Sequence, residues 1–339
     1  MKDAEALSQH RRMLCRRRMR FAALLCFMLF VSALWRLGAG EWDIPASRVA
    51  ALLNPFLDES TRALPEALVV RSIRLPRFLS AVACGGLLAV AGAVLQGLLT
   101  NALAEPYTLG IAAGAAFGGA LGFFLDSYAV VPMAFIGAVS SLWFVSVISM
   151  RGGGGASGIV LAGVIMNAIL SAGVTFLKAI ADDRLGAIVL WLMGSLSGAS
   201  PSAAAAVWCA ALVLMVPAFI YARRIDACSL SEGQGELLGI EEKKLRWLLL
   251  GVSSLATATV VSFFGIIGFV GLVVPHLMRS FIGPSTRPLI IFSFLCGGLL
   301  LAVADGAAQA VGELPVGVIT ALLGGPFFCW ILIRGRSGA

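Results

Sequence analysis

The chain has 339 residues, 59% of them hydrophobic and only 13% charged. Soluble domains carry about a quarter charged residues, whereas here apolar runs of roughly 20 residues recur along the whole length. A soluble globular fold is therefore excluded, and the ten-residue alternation of a transmembrane barrel is missing. The net charge of +7 does not point to nucleic acid. Much of the excess lies in RRMLCRRRMR, Arg11 to Arg20, directly before the first apolar run, where it reads as a cytoplasmic orientation signal.

In chain order, residues 1–19 form a basic tail, 20–334 a single membrane domain and 335–339 a short second tail. The hydropathy pattern predicts an all-α polytopic protein with ten spans, near 20–38, 77–99, 107–125, 128–150, 157–178, 201–222, 246–264, 266–282, 288–305 and 314–334. The first reads as a span rather than a cleaved signal, which would need a small-residue cleavage site after a short apolar core. With the N-terminus inside, ten spans return the C-terminus to the cytoplasm. This topology places 17 of the 25 Lys and Arg residues on the inner side, as the positive-inside rule requires. It also isolates an anomaly. Three of the eight outer charges, Arg71, Arg74 and Arg77, cluster in RSIRLPRFLS at the mouth of the second span.

Outer residues 39–73 resemble an amphipathic stretch lying on the surface. In CGGLLAVAGAVLQG, Gly85, Ala89 and Ala93 recur every fourth residue, a small-residue face that lets helix backbones approach closely in lipid. The only sizeable cytoplasmic loop is 223–245. Within it Ser229 and Glu232 have capping-box spacing for a short helix, which Gly233 and Gly235 weaken. The seven cysteines are scattered with no CxxC pair, so neither a zinc site nor a disulfide framework is indicated.

The chemistry of other classes is mostly missing. There is no GxxxxGK[ST] loop, hence no nucleotide site of the chain's own. The GxGxxG match at Gly153 to Gly158 follows a membrane span, not a strand, and reads as a tight inner turn. The GASG within it, with Ser157, is similar to the serine motif of rhomboid intramembrane proteases, for which His276 is the one span histidine. An ion-coupled carrier needs ionisable groups inside its spans, and Asp305, Glu313 and Lys178 all sit near outer span ends. Gln96, Asn167, Ser171 and Thr175 are polar positions within spans. Lining a path and bonding neighbouring helices both remain open for them.

The order of motifs carries a resemblance. RLPRFLSAVACGGLLAVAGAVLQGLLTNALAEPYTLGIAAGAAFG, then GIVLAGVIMNAIL, WLMGSLSGAS, SLSEGQGELLGI, FFGIIGFVGLVVPHLMRSFIGPSTRPL and ELPVGVITALLGGPFFCWIL together resemble the iron-chelate and vitamin B12 family of ABC importer permeases over about residues 65–334. The resemblance implies a type II importer architecture: a ten-span permease domain in the bacterial inner membrane, paired with a second copy. Two ABC ATPase subunits, which hold the ATP and Mg, would dock on the cytoplasmic side, and a periplasmic or lipid-anchored binding protein would deliver cargo. The chain itself would bind no cofactor or metal and catalyse nothing.

By the same resemblance, Arg74 and Arg77, with Arg71 beside them, would meet acidic residues of the binding protein. A further docking arginine of the family is replaced here by Gln309. Ser229, Glu232, Leu237, Leu238 and Gly239 would couple to the ATPase. Asn101, Leu103 and Ser157 would close the inner end, with Gln96 and Asn167 as further pathway candidates. The expected cargo is a metal chelate: ferric siderophore first, haem or cobalamin next, with oxyanions such as molybdate among relatives. An ion-coupled carrier and an intramembrane serine protease are the alternatives.

Overall fold

A computed structural model of the chain describes residues 2–40, 42–54, 64–152, 155–229 and 234–335. All described secondary structure is helical. The ten spanning helices are α1 (Lys2–Gly38), α3 (Pro65–Leu98), α4 (Ile111–Leu125), α5 (Val130–Arg151), α6 (Ala156–Ala179), α8 (Pro201–Ile220), α11 (Glu242–Phe264), α12 (Val270–Ile282), α13 (Thr286–Ala310) and α14 (Val316–Gly335). Shorter helices lie between them: α2 (Ala46–Leu52), α7 (Leu185–Leu192), α9 (Ala222–Cys228) and α10 (Gln234–Leu237). Each of the ten expected spans thus meets one helix. Seven are long and apolar enough to cross a bilayer unaided, and α4 and α12 are shorter.

The protein is built around α3. Its apolar window is 94% buried, against 22% for the peripheral α1. Helices α8, α11, α12 and α13 pack around it. The small residues of its sequence make this possible. A Cβ on Gly92 would lie 1.7 Å from the Gly271 carbonyl oxygen of α12, and one on Gly85 would lie 2.1 Å from the Gly297 carbonyl of α13. Backbone meets backbone at both crossings, as small-residue faces allow in lipid, where dispersion rather than the hydrophobic effect drives association. A second core forms where α4 pairs with α5, with α6 alongside.

The second span starts earlier than hydropathy predicts, at Pro65 instead of residue 77. Proline at the first helical position and Glu66 in the first turn favour a start there. Val69 to Arg74 then form a π-helical turn inside the continuous helix, so RSIR is helical, not the loop before a helix. Helix α2 and its flanks fold back onto the ends of α1 and α3. Val49 and Leu52 of α2 are fully buried with Leu37, Ile44, Ala67 and Val70, and Arg48 pairs with Glu66 at 3.0 Å. Helix α2 is amphipathic, with its apolar face covered by protein.

Candidate functional site

One end of the bundle gathers the arginines. The π-turn aims Arg71 and Arg74 at backbone carbonyls. Arg71 donates to the Leu52 and Asn54 carbonyls at 2.9 and 2.7 Å. Arg74 donates to Leu37 and Gly38 at 2.9 Å each and to Trp42 at 2.7 Å. Carbonyls orient a guanidinium without neutralising it, and the charge of Asp43 offsets part of that on Arg74, which leaves this end net positive. Arg77, one turn on, is only 7% exposed. Its Nε lies 3.0 Å from Asp305 Oδ2 and its Nη2 3.0 Å from Glu313 Oε2. Arg36 of α1 also donates to Asp305, and to Gln309 Oε1. Two arginines and two carboxylates from α1, α3, α13 and the α13–α14 turn thus form one compensated cluster. A buried charge demands such pairing.

The opposite end carries the connections. After α3, Thr100 adopts a positive φ of 44°, and the Asn101 side chain accepts from the Leu103 N–H at 2.9 Å. Asn101 and Ser157 line one cleft of about 430 Å³ with Leu99, Val160, Leu161 and Val164. Leu103 is exposed beside it. Beyond the turn Glu105 begins a short 3-10 helix, Pro106–Leu109. Burial without an ion pair raises its carboxyl to about 7 and pushes the Tyr107 phenol up as well. The Tyr107 hydroxyl accepts from the Ile267 N–H at 3.2 Å, and the Asn167 amide donates to the Tyr107 carbonyl at 3.1 Å.

At this same end α9, α10 and their flanks form a small protruding unit. Gly235 N–H donates to Glu242 Oε1 at 2.6 Å. A Cβ on Gly235 would sit 2.6 Å from that oxygen and 2.8 Å from Cys228 Sγ, so the close approach requires glycine. Asp226 accepts from the Thr286 N–H at 2.8 Å, which ties α9 to the start of α13. With the base anchored, Leu237 and Leu238 project bare, 87% and 68% exposed. Gly239 turns the chain with φ +75°.

A model described as the FecCD transport family matches residues 25–334. The chain belongs to that family. Among its relatives, the hemin transport system permease of Yersinia pestis is 38% identical over 78% of this chain and 83% of its own length. The cobalamin import system permease of Halobacterium salinarum is 38% identical, covering 78% and 73%. A molybdate import system permease from Haemophilus influenzae is 30% identical, covering 93% and 95%. The solved structure of a metal-chelate type ABC transporter in an inward-facing conformation superposes with a TM-score of 0.81 at 28% identity, over 93% of this chain and 99% of the other. The FecCD chain is a multi-pass membrane protein.

Within this family frame the structure sorts the candidate residues. Arg71, Arg74, Arg77 and Gln309 share one end, the last two inside the compensated cluster. Asn101 and Ser157 meet in one cleft, with Leu103 nearby. Gln96 is buried at 4% exposure, where it accepts from Arg279 and donates to the Gly271 carbonyl at 3.3 Å; it bonds helices and does not face the cleft. Ser229 caps the Asp226 carbonyl at 2.8 Å. Its capping-box partner Glu232 lies outside the described residues, and the observed turn of helix starts later, at Gln234. No hydrogen bond joins Ser157 to His276 among the described residues. Two participants escaped sequence reading, Arg36 and Glu105. Arg36 signalled only as a charge at the far end of a span, and Glu105 stood inside a motif read for its turn.

Proposed function

We propose that this chain is the transmembrane permease subunit of a binding-protein-dependent ABC importer for a metal chelate, with a ferric siderophore as first cargo candidate and haem or cobalamin next. The observation that carries this reading is a full-length likeness to a metal-chelate transporter combined with two bare leucines, Leu237 and Leu238, on an anchored turn at one end of the bundle. Apolar side chains that exposed, beyond the spanning helices, call for a protein partner. Two ABC ATPases are that partner, and they hold the ATP and Mg; the chain binds no cofactor of its own. The leucine end is cytoplasmic, with both termini, in a bacterial inner membrane. The residue 20–334 unit works as one permease domain.

Transport runs by alternating access in a homodimer. Closure of the ATPases pushes on the Leu237–Gly239 turn, whose base is held to α11 by Glu242 and to α13 by Asp226. The exposed face of α6, with Ser157, Ser171 and Thr175, meets the second copy and lines a weakly polar path. Asn101, Leu103 and Ser157 close its inner end, and Asn167 holds the connection in place. At the outer end Arg71 and Arg74, partly offset by Asp43, present a net positive charge that steers an acidic binding protein and fixes its orientation. Arg77 and Gln309 sit behind them as support.

The test is reconstitution. Vesicles holding the chain, its ATPase and its loaded binding protein should take up cargo only with ATP. Uphill uptake by the chain alone under an ion gradient would establish the secondary carrier instead. Peptide cleavage abolished by Ser157→Ala would establish the protease. Ligand binding by the cognate soluble protein, measured across siderophores, haem, cobalamin and molybdate, assigns the cargo.

A further inference from the structure

Arg17, Arg20, Phe21 and Leu24 fall at i, i+3, i+4 and i+7 on α1, one continuous helical face. That face and the end of α12 line a half-open cavity of about 320 Å³. Its polar lining is all arginine: Arg17, Arg18 and Arg20. None of the three forms an ion pair with a carboxylate among the described residues. Arg18 donates from Nη2 to the Ile282 carbonyl at 2.7 Å, which places a cation on the C-terminal dipole of α12 and clamps the two helices together. Its Nε stays buried with no partner. Phe21 floors the cavity, stacked between Phe281 and Phe292 at centroid distances of 5.7 and 5.6 Å.

Above the arginines the same face turns apolar. Leu24, Phe27, Met28 and Val31 are 45%, 62%, 43% and 47% exposed, on a helix whose apolar window is only 22% buried. The order along the helix axis is therefore guanidiniums, aromatic floor, then an open apolar ridge about 10 Å long at 1.5 Å per residue. A phospholipid has that same order: phosphate, glycerol, acyl chain. A freely diffusing anion would use the first part and leave the ridge bare. Three clustered cations without carboxylates favour an anionic headgroup over a zwitterionic one.

We propose that this cavity is a seat for an anionic phospholipid. Its phosphate lies among Arg17, Arg18 and Arg20, and one acyl chain runs along the Leu24–Val31 ridge. Positive-inside orientation alone accounts for basic residues here, but not for their gathering around one cleft with a stacked aromatic floor.

Native mass spectrometry of the full chain in detergent, after delipidation and addition of phosphatidylglycerol, cardiolipin or phosphatidylcholine, tests the seat. One anionic lipid per chain should survive activation, and phosphatidylcholine should not. Arg17→Gln with Arg20→Gln should lower retention at least tenfold with an unchanged thermal midpoint in phosphatidylcholine nanodiscs. Arg16→Gln, which does not line the cavity, should retain the lipid. Should the double variant fold poorly, Leu24→Glu, which puts a carboxylate in the acyl track, should give the same loss. Equal retention of phosphatidylcholine, or undiminished retention in the variants, overturns the proposal. So does a thermal shift from inorganic phosphate matching that from phosphatidylglycerol at equal concentration, which would make the cavity a site for a soluble anion.

Discussion

Arg77 and Asp305 face each other across the packing interface of α3 and α13, both of them almost wholly buried, with three nitrogen–oxygen approaches of 3.0 to 3.2 Å. Asp305 is shared, since Arg36 reaches it from α1. Its removal takes the carboxylate from Arg36 and leaves Arg77 only Glu313, which at the rim is 56% exposed. Breaking a buried pair costs about 3–5 kcal/mol, because the surviving charge is left uncompensated; an exposed partner contributes about 1 kcal/mol or less. Asp305→Asn should therefore lower the thermal midpoint in detergent far more than Glu313→Gln. Equal effects would show that the cluster is not a lock between helices.

Arg71 and Arg74 differ from Arg77 in kind. Their hydrogen bonds end on neutral carbonyls and Asp43 offsets only part of the Arg74 charge, so a net positive field persists outside the protein. Arg71→Glu with Arg74→Glu should weaken stimulation of ATP hydrolysis by the loaded binding protein at least tenfold. Raising the salt should reduce wild-type stimulation toward that of the variant, as screening requires. Stimulation that is unchanged in the variant would remove these two charges from docking.

Leu237 and Leu238 are largely exposed, so charge there leaves the fold intact. Leu237→Arg and Leu238→Arg should each keep the thermal midpoint within a degree or two while abolishing ATP-driven uptake. If uptake persists in both, the turn is a mere connector.

Ten apolar stretches were legible because lipid selects strongly for length and hydropathy, and each met its helix. The start of α3 was not. Three arginines within seven residues look like a span boundary, and hydropathy cannot register that a π-turn feeds two of them to carbonyls of the α1 end and of α2. The arginines themselves stood out by violating the positive-inside pattern. Gln309 was visible as a departure from the family pattern, yet its actual partner, Arg36, lies 273 residues away, a pairing no single sequence contains. The turn through Leu237 and Leu238 was legible from motif order. Its dependence on Gly235 against Glu242 was not, because a close backbone approach leaves only a glycine behind.

Glu105 yields the pH prediction. It stands in the connection between α3 and α4, buried against α12: a Cβ on Gly271 would lie 3.3 Å from its Oε2. No Lys or Arg pairs with it among the described residues, and the phenol of Tyr107 is the titratable group that feels its charge. Burial disfavours its charged form and raises the carboxyl from 4.5 to about 7. A raised carboxyl means that the folded state holds its proton more tightly than the unfolded chain does. The associated stability is complete below pH 4.5, declines as pH rises toward 7, and is absent above that. The full span corresponds to roughly 3 kcal/mol at about 1.4 kcal/mol per pH unit. Glu105→Gln, neutral throughout, should match wild type at pH 5 and exceed its thermal midpoint by several degrees at pH 8. A difference that does not change between those pH values would mean that Glu105 titrates near its ordinary value, with water or a cation at its side.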